Sequence, residues 1–273
     1  MVRSRLALVS LLASTTGSGC SLALDFDSTS KVPPAAQPTF CADHLTPPAI
    51  FCDDFDADPL VPKWSKVEEV NGAAAHDAGA STSAPDSFLS VADPVGKTGR
   101  VRSVATVNFT DLNSTKVGLR ISFNLLVDQF DATVGAKTNI FDFVYGPTTD
   151  FNQVVLVLVS AGSAVSLMLA ENPQTVGDPN TLYHEYGPFP VRPTPEQWMK
   201  VAIDLDITNP LGTGNSVRVT LDDQLELDSK LVYPLKGETP RLELGVGWVD
   251  SDTMPTQTWA VRYDDFLVEA VAR

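Results

Sequence analysis

The clearest signal in the chain is a two-residue period. Across 119–128 the apolar residues Leu119, Ile121, Phe123, Leu125 and Val127 alternate with Arg120, Ser122, Asn124 and Asp128, and only Leu126 is out of phase. Alternate side chains of an extended chain point to opposite sides, so this pattern predicts a strand with one face in a core and the other in water. The period returns in Val201, Ile203, Leu205 and Ile207, set against Lys200, Ala202, Asp204 and Asp206. Val217, Val219 and Leu221 follow, turned by Asp222-Asp223-Gln224 into Leu225 and Leu227, and a later set runs Leu242, Leu244, Val246, Trp248. The segment 154–159 is apolar throughout, which predicts a strand covered on both faces, and Val165, Leu167 and Leu169 continue from it after a turn. Shorter strands are predicted over 88–91, 100–109 and 140–145, and no long stretch of helical spacing competes with them.

Two stretches interrupt the series. Small residues over 71–85 predict an irregular loop or a weak edge strand, and the pattern lapses again over 171–195. There Pro188, Pro190, Pro193 and Pro195 cluster beside Tyr183-His184-Glu185-Tyr186, and a loop that long in a compact domain is often where function resides. The last strand has a phase break of its own. Trp259, Val261 and Tyr263 share one parity, Phe266, Val268 and Ala270 the other, so a one-residue bulge at Asp264-Asp265 is needed to keep one continuous apolar face. Its order of aromatic, acid, acid, aromatic echoes Phe51-Cys52-Asp53-Asp54-Phe55-Asp56, and the two segments are expected to be neighbours at the ends of one domain.

Charge and composition narrow the function. The formal net charge is −15, and without the leader, which carries Arg3 and Arg5, 17 basic residues face 34 acidic ones. Such a surface repels phosphate backbones and anionic lipid, which argues against nucleic acid as a partner. A hydrophobic content of 43% is too high for a disordered acidic tail.

The N-terminus has the build of an export signal over 1–19: Arg3 and Arg5, the short apolar run 6–13, then small residues up to Gly19-Cys20. That ending resembles the lipobox of bacterial lipoproteins, with Gly17 where those signals carry an aliphatic residue. The resemblance implies acylation of Cys20, a lipid anchor as the only membrane attachment, and a place at the bacterial outer membrane or cell surface. The alternative is an ordinary secretory signal cut near Gly19. Segment 20–40, with Pro33-Pro34 and Pro38, reads as an extended tether ahead of one domain over 41–273. With Cys20 lipidated, Cys41 and Cys52 remain as a pair across a turn-rich segment, and an exported chain can keep that disulfide.

From residue 50 to 271 the order of segments resembles the concanavalin A-like lectin and laminin-G-like superfamily. The matching features are the opening Phe51-Cys52-Asp53-Asp54-Phe55-Asp56 with Trp64 downstream, the 119–128 strand, and the entry Trp198-Met199-Lys200-Val201. The 217–222 hairpin, Leu242-Glu243-Leu244-Gly245, and the closing Val261-Arg262-Tyr263-Asp264-Asp265-Phe266-Leu267-Val268 complete it. The resemblance implies an all-β fold, a two-sheet antiparallel jelly-roll sandwich, whose first and last strands are neighbours and whose concave face often receives glycans. It also resembles jelly-roll carbohydrate-binding modules with a structural calcium ion joining the two ends of the domain. Here Asp54, Asp56, Asp264 and Asp265 would be the ligands, since calcium suits crowded carboxylates. Acids that merely cap turns or face solvent are the competing explanation.

The functional expectation is an exported, lipid-anchored surface protein with a glycan-binding or adhesive domain. Asp142, Tyr145, Asn152, Tyr183, His184, Tyr186 and Arg192 are its candidate ligand-binding residues. Phe141 and Trp248 are further stacking candidates and Asn139 a further hydrogen-bonding one, although both aromatics fit the core better. Laminarinase-type glycosidases of this fold carry Glu-x-Asp-x-x-Glu, and the nearest approach, Glu226-Leu227-Asp228-Ser229-Lys230-Leu231, lacks the final acid. Polysaccharide lyases of similar fold need a Tyr or His base with an Arg or Lys beside a uronate, for which Tyr183, His184, Tyr186 and Arg192 are the candidate cluster. On this balance the domain is expected to be non-catalytic. A divergent polysaccharide lyase or glycoside hydrolase, or a purely structural envelope lipoprotein, is the alternative.

Overall fold

The computed structural model describes residues 40–272 except 45–48, 57–58, 78–79, 84–85, 96–100, 110–116, 148, 176–181, 208, 210, 236–239 and 250–256. The leader, Cys20 and the tether up to residue 39 lie outside the described residues. The chain divides into the units Met1–Gln37 and Pro38–Arg273, and every described residue belongs to the second.

Among the described residues, a five-residue helix α1 (Phe40–His44) precedes fifteen strands. These are β1 (Ala49–Asp53), β2 (Lys66–Val70), β3 (Gly72–Asp77), β4 (Ser87–Ala92), β5 (Arg102–Asn108), β6 (Val117–Gln129), β7 (Lys137–Tyr145) and β8 (Asp150–Ser160). Then come β9 (Val165–Thr175), β10 (His184–Tyr186), β11 (Met199–Asp206), β12 (Ser216–Leu221), β13 (Gln224–Lys230), β14 (Pro240–Val249) and β15 (Trp259–Ala272). One antiparallel sheet runs β13-β12-β11-β6-β15-β4-β3 with β1 added on β15, and the other runs β10-β9-β8-β7-β14-β5-β2. The two make a jelly-roll-like sandwich of concanavalin A-like topology, as the resemblance implies.

The alternation in β6 sends Leu119, Ile121, Phe123, Leu125 and Val127 into the space between the sheets, where all five are buried. From the opposite sheet come Phe141 and Phe143 of β7, Val154, Leu156 and Leu158 of β8, and Leu242, Leu244 and Val246 of β14. Phe123 and Phe141 stack across the interface with ring centroids 5.8 Å apart. Polar links fix the sheets against each other. The Tyr263 hydroxyl donates to the Ile140 carbonyl at 2.7 Å, and Ser90 Oγ donates to the Ser103 carbonyl while accepting from Val246 N–H. The Ile140 carbonyl is available for this because the β7–β8 register slips between Asn139 and Phe141.

The two ends of the domain meet as expected. β1 lies antiparallel to β15, with Cys52 opposite Leu267 and Asp53 opposite Phe266. The β15–β6 register shifts between Asp264 and Leu267, Asp265 has φ 51°, and Tyr263 and Phe266 are both buried, so the bulge sits where the phase break requires it. A Cys41–Cys52 disulfide ties α1 to β1 and packs on Leu267.

Candidate functional site

The second sheet has an outer face as well as an inner one, and register determines what that face presents. In β8, Val154, Leu156 and Leu158 enter the core, so Gln153, Val155 and Val157 point the other way. Their partners follow the same parity: Gln153 pairs with Asn172, Val155 with Ala170 and Val157 with Met168 on β9, while Val155 faces Asp142 on β7. The valines, Met168 and Ala170 form a small apolar cluster of their own. This explains why 154–159 is apolar on both faces.

Around that cluster lies a groove of about 590 Å³. Its lining brings together Arg102, Lys137, Asn139, Asp142, Gln153 and Asn172, with Gln174, Tyr183, Gly247 and Trp248 beside them. Tyr183 (46% exposed) and Trp248 (47% exposed) are its open aromatic surfaces. Trp248 reaches this face through a register slip in β14. Leu244 is opposite Phe141 and Trp248 opposite Asn139, so the Gly245-Val246-Gly247 segment carries extra residues against β7. Gly245 has φ +123°, and a Cβ there would stand 2.3 Å from the Ser103 carbonyl oxygen, so only glycine fits the slip.

Amide groups form a directed chain on this face. Gln174 Nε2 donates to Asn172 Oδ1 at 2.5 Å, and Asn172 Nδ2 donates to Gln153 Oε1 at 3.2 Å, so the chain ends on Gln153, a groove-lining residue whose amide N–H groups are its last donors. Charges are arranged beside it. Arg102 is buried and hydrogen-bonds Glu243, with Glu68 at 3.8 Å; Arg241 Nε lies 3.4 Å from Glu243; Lys137 Nζ pairs with Glu185 at 2.6 Å. Asp142 is directly cross-strand from Glu243. Burial first and the Glu243 carboxylate second push its carboxyl up to about 8, against the opposing pull of Arg102, Arg241 and an Asn139 hydrogen bond.

The structure gathers some of the sequence-derived candidates and scatters others. Asp142 and Tyr183 line the groove. Tyr145 and Asn152 are buried on the side away from it, with Tyr145 in the core and Asn152 Nδ2 directed to the Pro234 carbonyl. Tyr186 also points inward: its hydroxyl hydrogen-bonds the buried Glu171 carboxylate, and burial together with that carboxylate holds it protonated far above the ordinary phenol range. Its hydroxyl is thus engaged in the interior, by Glu171 and the Lys230 carbonyl. His184 packs edge-on against Tyr186 at 4.6 Å, opposite Glu171 in the β9–β10 register, and Arg192 is exposed between β10 and β11. The four-residue cluster expected over 183–192 is therefore split by strand alternation, since only Tyr183 and Glu185 face the groove side. Phe141 is core as expected, but Trp248 is not.

Sequence reading missed Arg102, Lys137, Gln153, Asn172 and Gln174. The last two sit in the second half of β9, which runs to Thr175 although the alternation fades after Leu169. A polar groove face and the buried Glu171 mask the strand. The usable signal was the identity of the residues: polar amides two apart at 172 and 174, directly after a periodic strand.

The acids expected to hold calcium are mostly engaged by hydrogen bonds. Asp264 Oδ2 accepts from Thr82 N–H at 2.6 Å and Ser83 N–H at 3.0 Å, and Asp265 accepts from Ser83 Oγ at 2.6 Å and Asn124 Nδ2 at 2.8 Å. Asp54 Oδ2 accepts from Cys41 N–H at 3.2 Å. Asp56 differs: its Oδ2 is buried with no hydrogen-bond partner, and burial, with Asp54, Asp264 and Asp86 nearby, pushes its carboxyl up to about 6. Among the described residues no group of three or more His, Cys, Asp or Glu is arranged to hold a metal ion.

No family model matches the chain, and no curated protein matches it in sequence. Similarity appears in the fold. The endo-β-1,4-glucuronan lyase from the fungus Trichoderma reesei superimposes with a TM-score of 0.59 at 12% identity, over 81% of this chain and 95% of the enzyme. Alginate lyase Aly36B gives 0.55 at 7% identity over 82% and 98%, and alginate lyase vAL-1 from a Chlorella virus gives 0.50 at 9% over 76% and 92%. The sandwich is thus one that carbohydrate-acting enzymes use over nearly their whole length. This corrects the expectation of a non-catalytic domain: with several lyases on the same fold, catalysis is at least as plausible as its absence.

Proposed function

We propose that this protein is a polysaccharide lyase acting on uronate-containing chains, exported and anchored through Cys20. The observation that carries the reading is the groove on the outer face of the second sheet. It sets a phenol, Tyr183, and an ammonium, Lys137, beside Arg102, Asp142 and the Gln153 amide, with Trp248 as an aromatic surface for a sugar ring. The shared fold with glucuronan and alginate lyases supports it.

β-Elimination asks for three things, and the groove offers groups for each. A base takes the proton from C5 of the uronate, the C5–H electrons form the C4–C5 double bond, and the C4–O4 bond breaks. An acid then delivers a proton to O4, which leaves as a hydroxyl. The proton on C5 becomes acidic only when the adjoining carboxylate is neutralised, a task for hydrogen-bond donors such as the Gln153 amide. Tyr183 is the proton-transfer group, since it is the tyrosine whose side chain lies open on the groove. Lys137, held by Glu185, borders the same space.

The test is direct. Purified protein incubated with glucuronan and with alginate should raise ultraviolet absorbance from the new double bond in step with new reducing ends. Reducing ends without the absorbance would indicate hydrolysis, and neither signal on any polyuronate would end the lyase reading. Intact mass of the N-terminal peptide checks the anchor, which requires an acyl chain on Cys20.

A further inference from the structure

The charges of the groove nearly cancel. Arg102 and Arg241 lean on Glu243, Arg102 also faces Glu68, and Lys137 is bound to Glu185. Three cations are thus matched by three carboxylates before Asp142 is counted, and the exposed Lys66, 2.9 Å from Glu68, adds a fourth. An ionised Asp142 would bring this set to neutrality, on a chain whose net charge is already −15. Such a site would offer an anionic chain no net attraction.

Asp142 itself is only 4% exposed, its Oδ1 is buried with no hydrogen-bond partner, and it is a cross-strand neighbour of Glu243. Two carboxyl groups facing each other in a buried setting cannot both stay ionised at small cost. Asp142 nonetheless belongs to the groove lining, and Gly247 stands against it: a Cβ there would be 3.2 Å from Asp142 Oδ2. Gly247 therefore sets no side chain of its own against that oxygen. The groups facing Asp142 are Glu243 and Arg241 from β14, Arg102 from β5 and Asn139 from its own strand, with the Tyr263 hydroxyl on the core side.

We infer that Asp142 meets the anionic group of the substrate as a neutral carboxylic acid, donating its proton as a hydrogen bond, so that uronate binding is linked to protonation of this one side chain. This rests on the polyuronate reading of the groove. It gives a protein of strongly negative charge a way to accept a negative ligand without an unpaired cation. The raised carboxyl of Asp142 agrees with it.

The experiment is calorimetric binding of glucuronate and guluronate tetrasaccharides to the full domain between pH 5 and 9, with a neutral cellulose tetrasaccharide as control. Affinity for the acidic sugars should fall with pH, approaching about tenfold per pH unit once Asp142 ionises, while the neutral sugar shows no such slope. Asp142→Asn keeps a donor and cannot ionise, so its uronate affinity should be flat over the same range and exceed wild type at pH 9. Uronate binding that is flat in wild type, or equally steep in Asp142→Asn, overturns the inference, as does failure to bind either acidic sugar at any pH. If Asp142→Asn does not fold, difference infrared spectra of the wild type decide. A protonated-carboxyl carbonyl band present at pH 7 and lost by pH 9, restored on adding the acidic tetrasaccharide at pH 8, supports the inference, and its absence overturns it. The lyase reading fails separately: proton-linked binding with no double-bond absorbance would leave a binding site in which Asp142 still acts this way.

Discussion

Two regions of this protein concentrate carboxylates, and they solve the problem of crowded negative charge in opposite ways. At the seam between β1 and β15, the oxygens of Asp53, Asp264 and Asp265 are covered by short-range donors. Asp53 alone accepts from Trp64 Nε1 at 2.6 Å, Lys63 Nζ at 2.7 Å and Phe55 N–H at 3.1 Å. In the groove, Glu243 is held by arginines while Asp142 beside it has a buried oxygen with no donor. The seam uses its acids to organise backbone turns and a tryptophan. The groove keeps unfilled hydrogen-bonding capacity next to open space, which is costly for stability and useful for a ligand. Acid content alone does not separate the two; the position of donors does.

The contrast is tested most severely at Arg102. Replacing it by Leu removes the cation between Glu68 and Glu243 and leaves the buried Glu243 carboxyl beside Asp142 with Arg241 as its remaining cation. Breaking a buried pair from one side costs about 3–5 kcal/mol, to be read from urea unfolding at pH 7. The loss should shrink at pH 5, where the stranded acids can take up protons. A loss that is the same at both pH values would show that packing of the guanidinium, and not its charge, is what the groove needs.

Next in size is an effect on activity without one on stability. Tyr183→Phe should lower the rate of double-bond formation about a hundredfold or more, the usual span for removing a proton-transfer group, and leave the melting temperature within about a degree, as for an exposed surface position. Trp248→Ala should act instead through KM, because it removes a stacking surface and no chemistry. Equal loss of kcat in both variants would mean that the groove is being deformed.

How far the sequence disclosed all this follows from the same contrast. Strands that separate a core from water, such as β6 and β11, announce themselves by alternation, and even the bulge at Asp264-Asp265 is visible as a change of phase. The pairing of Cys41 with Cys52 was legible because the lipobox-like ending at Cys20 sets that cysteine apart and leaves one pair. β9 was half hidden: where a strand carries Glu171 inward and Asn172 and Gln174 toward a groove, apolar and polar no longer mean inside and outside. The groove was hidden for the further reason that it draws on β5, β7, β8, β9 and β14, and strand order within a sheet is not written in any one segment. Tyr183, His184 and Tyr186 looked like one cluster because they are adjacent in sequence, yet adjacency in a strand is what sends neighbours to opposite faces. Trp248 looked like core because it continues the spacing of Leu242, Leu244 and Val246, and only the slip at Gly245 turns it outward.

The seam offers a smaller and well-defined measurement. Asp53→Ala removes the acceptor for Trp64 Nε1, Phe55 N–H and Lys63 together. Because the tryptophan and Phe55 are buried, unfolding should register about 2–3 kcal/mol, the cost of leaving such donors unsatisfied. Lys63→Ala, by contrast, removes only a half-exposed ion pair and should cost less than about 1 kcal/mol. If the two variants are equal, the seam is held by charge and not by the tryptophan hydrogen bond.

The smallest predicted effect has the opposite sign and concerns the one seam acid that resembles the groove. Asp56 has a carboxyl raised to about 6 by burial and by Asp54, Asp264 and Asp86. A carboxyl raised on folding contributes stability that is complete below its unfolded value near 4 and is lost as pH rises through about 6, the reverse of a salt-bridged acid. Asp56→Asn should therefore raise the melting temperature slightly at pH 7–8 and leave it unchanged or lower at pH 4. The same melts in calcium and in chelator address the cation expected at Asp54, Asp56, Asp264 and Asp265. A hydrogen-bonded seam predicts superimposable curves, whereas calcium bound there predicts a wild-type melt that rises with calcium and an Asp56→Asn melt that does not. In the second case Asp56 would be a ligand awaiting its ion, and the seam would join the groove as a place where an unsatisfied carboxylate marks a partner.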